Sequence, residues 1–477
     1  MARSERTIIP LNCVDKSLLA LDCEKARMVF HGIFAVEGDV DLSRLSQAVT
    51  CALRCRVGMR TVVRRRRFGH CRQICEISDR QALDLVEVQS VRGWSDAQAD
   101  AECETRLCEW INRPLNMGQA FPFRVLLLEG NGHQHYLVFS FHHSSADGIR
   151  GLRFMWEVLD RYNDGSVDSS EVEDVRVCYR GDELLRAGQS QRCRVKHFRR
   201  KMFSALFYRF FVAPLHPPSR VLHGQSGKGD DTYICYATLK PSELHQIESK
   251  SKSAGASVND ILLAACFRTV EKWNRSWGKT SKKITVMVPV NLRPTGFRDV
   301  ISNQVSFVSV SIGPRDRADP ARLLRAVNAK MREAIKHGTA FAMVYFLHSC
   351  SRLPLPVMKV MARFFILTRV YIDTILLTNL GVVWPSGAEG GEAQMGGLRI
   401  VNFVGAVPVV DPMGMSIYAG VYNRSLTVCL AYKTAYFSKE QARVFLDLYL
   451  EQARDYPIGP ETSPQISHVG DGLVQAG

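Results

Sequence analysis

Apolar positions along the chain follow two periods, one of two residues and one near 3.6, and the blocks alternate. Met28 to Val36 is rich in β-formers and stops at Glu37-Gly38-Asp39. The next block places Leu42, Leu45, Val49 and Leu53 on one helical face. Arg60 to Arg67 alternates poorly and ends in four consecutive arginines. Ala101 to Asn112 predicts another helix, and Phe123 to Leu128 a short apolar strand. Glu129-Gly130-Asn131-Gly132 carries the Asn-Gly pair of a hairpin, with Tyr136 to Phe141 as the returning strand. That strand is apolar on both faces, the pattern of a central strand. Ile149, Leu152, Trp156 and Leu159 then recur at helical spacing until Asn163-Asp164-Gly165 halts them.

From residue 165 to about residue 230 the pattern breaks. Acidic residues come first, then a basic and aromatic tract from Arg192 to Phe211, then prolines and a Gly/Asp-rich stretch. Strand Thr232 to Leu239 opens the second half. Ser257 and Asp260 have the spacing of a capping box for the helix that carries Ile261, Leu262, Ala265 and Val270. Ile284 to Val290, Gln304 to Ile312, Thr374 to Val383, Leu398 to Val404, Met415 to Tyr422 and Ser425 to Tyr432 read as strands, and Ser438 to Asp455 as a last amphipathic helix. The organisation expected is a first lobe over 1–165, a connecting segment over 166–230, a second lobe over 231–460 and a flexible tail over 461–477.

The composition adds bounds. An apolar share of 46% and a charged share of 23% are those of a globular chain. The formal charge of +15 favours anionic partners such as phosphate-bearing cofactors, acidic proteins or membrane surfaces. No nucleic-acid-binding motif is present, so nucleic acid is not expected as a partner. The 14 cysteines lack zinc-ligand spacing, and no metal is expected. Met1 to Leu11 has no apolar signal core, and the longest apolar stretch, Phe364 to Trp384, is broken by Arg369 and Asp373. A cytoplasmic location follows as the expectation.

The segment His142-His143-Ser144-Ser145-Ala146-Asp147-Gly148 stands where the central strand turns into a helix. Neutral imidazole is the side chain best matched to proton abstraction near pH 7. Adjacent strand residues point to opposite faces, so the two histidines do not form a metal pair. Asp147 suits holding the loop, through backbone N–H groups or an arginine. Gly148 suits an unusual backbone conformation or a close backbone approach.

HHSSADG resembles the HHxxxDG signature of the chloramphenicol acetyltransferase-like acyltransferases. These include condensation domains of nonribosomal peptide synthetases, polyketide-associated acyltransferases and bacterial wax ester synthase/diacylglycerol acyltransferases. Asn112-Arg113-Pro114-Leu115, Ser257 to Ala265, Val288 to Pro294 with Asn303, and Thr378-Asn379-Leu380-Gly381 resemble further segments of that superfamily, in its order, over about residues 10 to 455. The DFGWG segment of plant BAHD enzymes has no match at Val409 to Met415.

The resemblance implies an α/β fold of two lobes forming a V with a central active-site tunnel. It also implies that an element between Thr378 and Val404 crosses from the second lobe to the first. His143 would be the catalytic base, with His142, Asp147, Gly148 and Arg293 structural in the catalytic loop. Asn303 and Ser144 are candidates for oxyanion or substrate contact. The donor implied is acyl-CoA or acyl-phosphopantetheine, with no tightly bound cofactor, and the acceptor an alcohol or an amine. An ester-forming enzyme is the first expectation; an amide-forming enzyme and a silent acyl-carrier or lipid-binding relative are the alternatives. The tracts Arg64 to Arg67 and 192–215 are candidates for contact with CoA phosphates, an acidic acyl-carrier protein or, for 192–215, a membrane surface.

Overall fold

The computed structural model describes residues 8–66, 69–77, 85–93, 95–131, 134–164, 215–224, 229–293, 303–368, 373–384 and 394–457, with residues 200, 203, 204, 207 and 211. Two six-stranded sheets form the frame, with a small three-stranded sheet beside them.

The first sheet contains β2 (Val29–Glu37), β5 (Val86–Ser90), β6 (Phe123–Glu129) and β7 (Gln134–His142). Its order is β12 (Gln394–Met395), β13 (Leu398–Ala406), β2, β7, β6 and β5, so β7 lies between two partners. This explains its doubly apolar pattern: Leu137, Val138, Phe139 and Phe141 are all buried. Helices α2 (Leu42–Cys55) and α4 (Gly148–Asp164) pack together beside the sheet. α3 (Asp96–Asn112) begins before the expected Ala101, because Ser95 and Gln98 form a capping box ahead of the apolar residues. A polar first turn leaves no periodic signal.

The second sheet runs β10 (Val305–Ile312), β9 (Ile284–Asn291), β11 (Ile375–Val382), β14 (Met415–Tyr422), β15 (Ser425–Lys433) and β8 (Thr232–Leu239). Helices α5 (Pro241–Ser253), α6 (Val258–Ser276) and α10 (Lys439–Arg454) pack on it. The capping box of α6 is formed, with Ser257 N–H donating to Asp260 Oδ2 at 2.9 Å and Asp260 N–H to Ser257 Oγ at 3.1 Å. Three helices that the pattern did not mark, α7 (Pro320–Lys336), α8 (Thr339–Cys350) and α9 (Leu355–Thr368), lie between β10 and β11. Another is α1 (Cys13–Leu21), capped by Asn12. α1 packs against α9 and lies near the small sheet of β1 (Ile8–Pro10), β4 (Gly69–Ile74) and β3 (Thr61–Arg66).

The crossing element is narrower than the sequence suggests. β11 stays in the second sheet, parallel to both β9 and β14. The chain crosses later, as β12 (Gln394–Met395) and β13 (Leu398–Ala406), and β13 pairs with β2 of the first lobe. Gly396 and Gly397, at φ 54° and 91°, make the turn between them, where residues with a Cβ are strained. The first lobe thus takes a strand from chain beyond residue 231.

The segment 166–199 and the tail 461–477 lie outside the described residues, as do Arg67 and most of the 192–215 tract. Of that tract, Phe203, Phe207, Phe211 and Leu215 are exposed, and the rings of Phe207 and Phe211 are 5.1 Å apart. Arg64, Arg65 and Arg66 are exposed on β3. Among the described residues no helix is long and apolar enough to cross a membrane, and no cluster of side chains suits a metal ion.

Candidate active site

The carboxyl end of β7 delivers the two histidines into a tight turn. His142 N–H donates to Pro122 O at 2.8 Å, His143 N–H to Met28 O at 2.7 Å, and Ser145 N–H to His142 O at 2.9 Å. Strand alternation sends the imidazoles in opposite directions. His142 is fully buried, whereas His143 lines a cavity where the lobes meet.

His142 is tied down. Its Nδ1 accepts from the Ser144 N–H at 3.1 Å and lies 2.8 Å from Ser144 Oγ. With Nδ1 accepting, the N–H of the ring is on Nε2, which faces Asp22 Oδ2 at 3.4 Å. The other Asp22 oxygen accepts from the Met28 N–H at 2.9 Å. Burial pushes the Asp22 carboxyl up, but the His142 ring and the Met28 N–H outweigh it and hold it below its ordinary value.

The His143 ring meets the edge of Phe30, centroids 5.3 Å apart. Burial lowers its pKa below 6.5, against the opposing pull of nearby main-chain carbonyls and the Asp147 charge. His143 is thus a neutral imidazole at pH 7, available as a proton acceptor. A second imidazole, His31, also lines the cavity. Its Nδ1 lies 2.8 Å from Ser140 Oγ, and burial, aided by Arg124, drives its pKa down to about 3.

Asp147 does not point at the base. One carboxylate oxygen accepts from Arg150 N–H at 3.0 Å, in the first turn of α4. The other accepts from Arg293 Nη2 at 2.6 Å and from Gln304 N–H at 3.1 Å. Burial pushes this carboxyl up, but Arg293 and the two main-chain N–H groups hold it below the usual carboxylate range. Residues 293 and 304 belong to the second lobe, so this buried pair ties the loop of one lobe to the other. Gly148 opens α4, and the close approach expected of it is to Leu380 of β11: a Cβ there would lie 3.1 Å from Leu380 Cδ2.

Two expected contacts are redirected. Asn303 is fully buried, and its amide nitrogen donates at 2.7 Å both to Asp15 Oδ1 and to the His143 carbonyl. Both amide hydrogens are committed, so in this structure Asn303 holds the backbone of the loop. Ser144 is fully buried against His142, and its carbonyl accepts from Arg72. It does not line the cavity. Arg72 in turn pairs with Asp15 at 2.9 Å, and burial of Asp15 outweighs that charge and raises its carboxyl. Asp15, Asp22, Arg72 and His31 had no sequence signal, because they are isolated residues far along the chain from the histidine loop they surround.

Replacing Asn303 by Ala should cost about 1–3 kcal/mol of stability, by leaving buried Asp15 and the His143 carbonyl unpaired. Denaturant unfolding reads this. An oxyanion donor would behave differently, losing about 10²–10³ in kcat with stability intact.

The cavity and its solvent-open mouth together span about 800 Å³. Apart from His143, Asp147 and a few others its walls are apolar, with Leu380, Phe403 and Tyr418 among them. Two glycines in the wall let side chains pack close: a Cβ on Gly405 would lie 2.4 Å from the Tyr418 ring, and one on Gly32 2.5 Å from Met155 Sδ. A reactant held there meets two imidazoles, of which His31 is engaged with Ser140, in a largely apolar chamber.

A condensation domain model matches residues 20–341, and a WS/DGAT C-terminal domain model matches residues 301–444. The first condensation domain of the CDA synthetase superposes with a TM-score of 0.68 at 15% identity, covering 94% of this chain and 97% of that one. The starter condensation domain of rhizomide synthetase, solved with C8-CoA, superposes at 0.62 and 12% identity, covering 94% and 95%. An uncharacterized protein of Mycobacterium tuberculosis strain H37Rv is 26% identical over 267 residues, which span 54% of this chain and 58% of that relative. On this fold and these family matches, the chain belongs to the condensation domain family, one of the two-lobed, acyl-transferring enzyme families.

Proposed function

We propose that the protein transfers an acyl group from a thioester, acyl-CoA or an acyl-carrier protein, to an alcohol, with His143 as general base. The observation that carries this reading is the division of labour in the histidine pair: His142 is locked by Ser144 and Asp22, and His143 is left neutral in the cavity. His143 would take the hydroxyl proton as the alcohol oxygen attacks the thioester carbonyl. The carbon–sulfur bond then breaks, and the proton passes to the departing thiolate. No covalent acyl-enzyme is needed. Asp147 and Arg293 position the loop and take no proton.

The WS/DGAT match over residues 301–444 supports an alcohol acceptor. The apolar walls suit an acyl chain, and the charge of +15 suits a phosphate-bearing donor. The test is thiol release from short- and long-chain acyl-CoA, and from an acyl-carrier protein, with alcohols and amines added in turn. Ester formation with alcohols supports the reading. Amide formation alone replaces it with the amine-acylating alternative, and release from no donor removes it.

The pH dependence carries its own sign. Because folding lowers the His143 pKa, the base stays deprotonated to a lower pH than a free imidazole. The acid limb of kcat/KM should therefore lie below 6.5. An acid limb above 6.5 would show a different base.

A further inference from the structure

Helix α9 is apolar on both sides. Its inner side is buried: Leu355 and Met358 pack with Leu19, Ala20 and Met117, and Ile366 packs with Ala26 and Met28. On the opposite side Val357, Val360, Phe364 and Leu367 are exposed, to 44%, 67%, 58% and 67%. Their spacing of three or four residues stacks them into one stripe. A surface helix of a globular protein is ordinarily polar on that side.

The charged residues on the stripe's own segment are all basic. Lys359 and Arg363 are exposed on the same helix, and exposed Arg352 precedes it. From residue 334 to residue 372 the sequence has no Asp or Glu, against Lys336, Arg352, Lys359, Arg363 and Arg369. The rim extends to α1. Lys16 of α1 donates to Ser351 O at 2.6 Å and to Leu353 O at 2.8 Å, which sets its ammonium at the start of α9. The acidic group that senses Lys359 is Asp22, and it is engaged with His142 and Met28.

We propose that α9 is an interfacial helix that docks the protein on an anionic lipid bilayer, the exposed stripe entering the acyl boundary and the basic rim meeting lipid phosphates. A bilayer supplies hydrocarbon and negative charge along one plane, which is the complement of this face. A symmetric second copy would set the basic rim against itself. The docking helix also bears on the site: its inner side touches Met28, whose carbonyl holds the His143 N–H. The proposal stands on surface chemistry and does not depend on the acyl-transfer reading.

The test uses the full chain in sedimentation with phosphatidylcholine vesicles, with and without about one third phosphatidylglycerol. The wild type should bind the anionic vesicles and lose binding as salt rises. The Val360→Asp/Phe364→Asp and Lys359→Glu/Arg363→Glu variants should each bind roughly tenfold more weakly or worse, with unchanged melting, because the altered side chains are exposed. His143→Ala should bind like the wild type, which separates docking from catalysis. Three results overturn the assignment. One is a wild type that ignores anionic vesicles. Another is an apolar-stripe variant that binds normally, including the case where only charge reversal at Arg199, Arg200 and Lys201 abolishes binding. The third is a wild-type dimer that the stripe variant dissolves.

Discussion

Acceptor-dependent thiol release should fall roughly 10²–10⁴-fold when His143 becomes alanine, the usual worth of a general base. The fold should survive. The His143 ring makes an edge contact with Phe30 and lines a cavity, and the main-chain bonds of residue 143 to Met28 and Asn303 do not need the side chain. Alanine at His142 should act differently. It removes the acceptor of the Ser144 N–H and the partner facing Asp22, so it should disturb the loop and reduce stability along with rate. Comparing the two in steady-state kinetics and thermal unfolding separates the roles. Equal thiol release by wild type and His143→Ala would remove His143 as the base.

The second large effect is on stability. Removing Arg293 leaves the Asp147 carboxylate buried without its charged partner, and breaking a buried pair from one side typically costs about 3–5 kcal/mol. Arg293→Ala should therefore lower the denaturation midpoint markedly, and activity with it. Arg293→Lys should recover only part, because the guanidinium also reaches Asn291 Oδ1 at 3.2 Å, and a single ammonium cannot reproduce both contacts. The pH sign follows from Asp147. Its folded pKa lies below the ordinary 3.8, so the pair contributes fully above that value. The contribution is lost as pH falls through the lower, folded pKa. The deficit of Arg293→Ala should thus be largest near neutral pH and shrink in acid. A deficit that is the same at all pH would mean that the arginine acts by packing alone.

How much of this could be read from the letters depended on periodicity. β7 and β8 were legible because their apolar runs are unbroken and bounded by turns, and α6 because Ser257 and Asp260 announce it. The cluster His142 to Gly148 was legible because its members are contiguous, and Arg293 because it sits in a segment that resembles a known one. Asp15, Asp22 and Arg72 were not. They meet the loop through contacts that span many residues, and a lone Asp on a short helix carries no pattern. The exposed stripe of α9 was hidden for a related reason: a helix apolar on both sides has no period. Asn303 shows a further limit. Its position was flagged, but its role turns on where two amide hydrogens point, which only the folded partners decide.

The strand β13 has a consequence for how the molecule assembles. Because the first lobe borrows this strand from the second half of the chain, its sheet stays incomplete until late in synthesis. Until then β2 presents a bare edge of unpaired main-chain groups. The two halves are therefore interlocked parts of one object. A fragment ending near residue 230 should be aggregation-prone, and exchange of β12 and β13 between two chains is the route by which misassembly would begin.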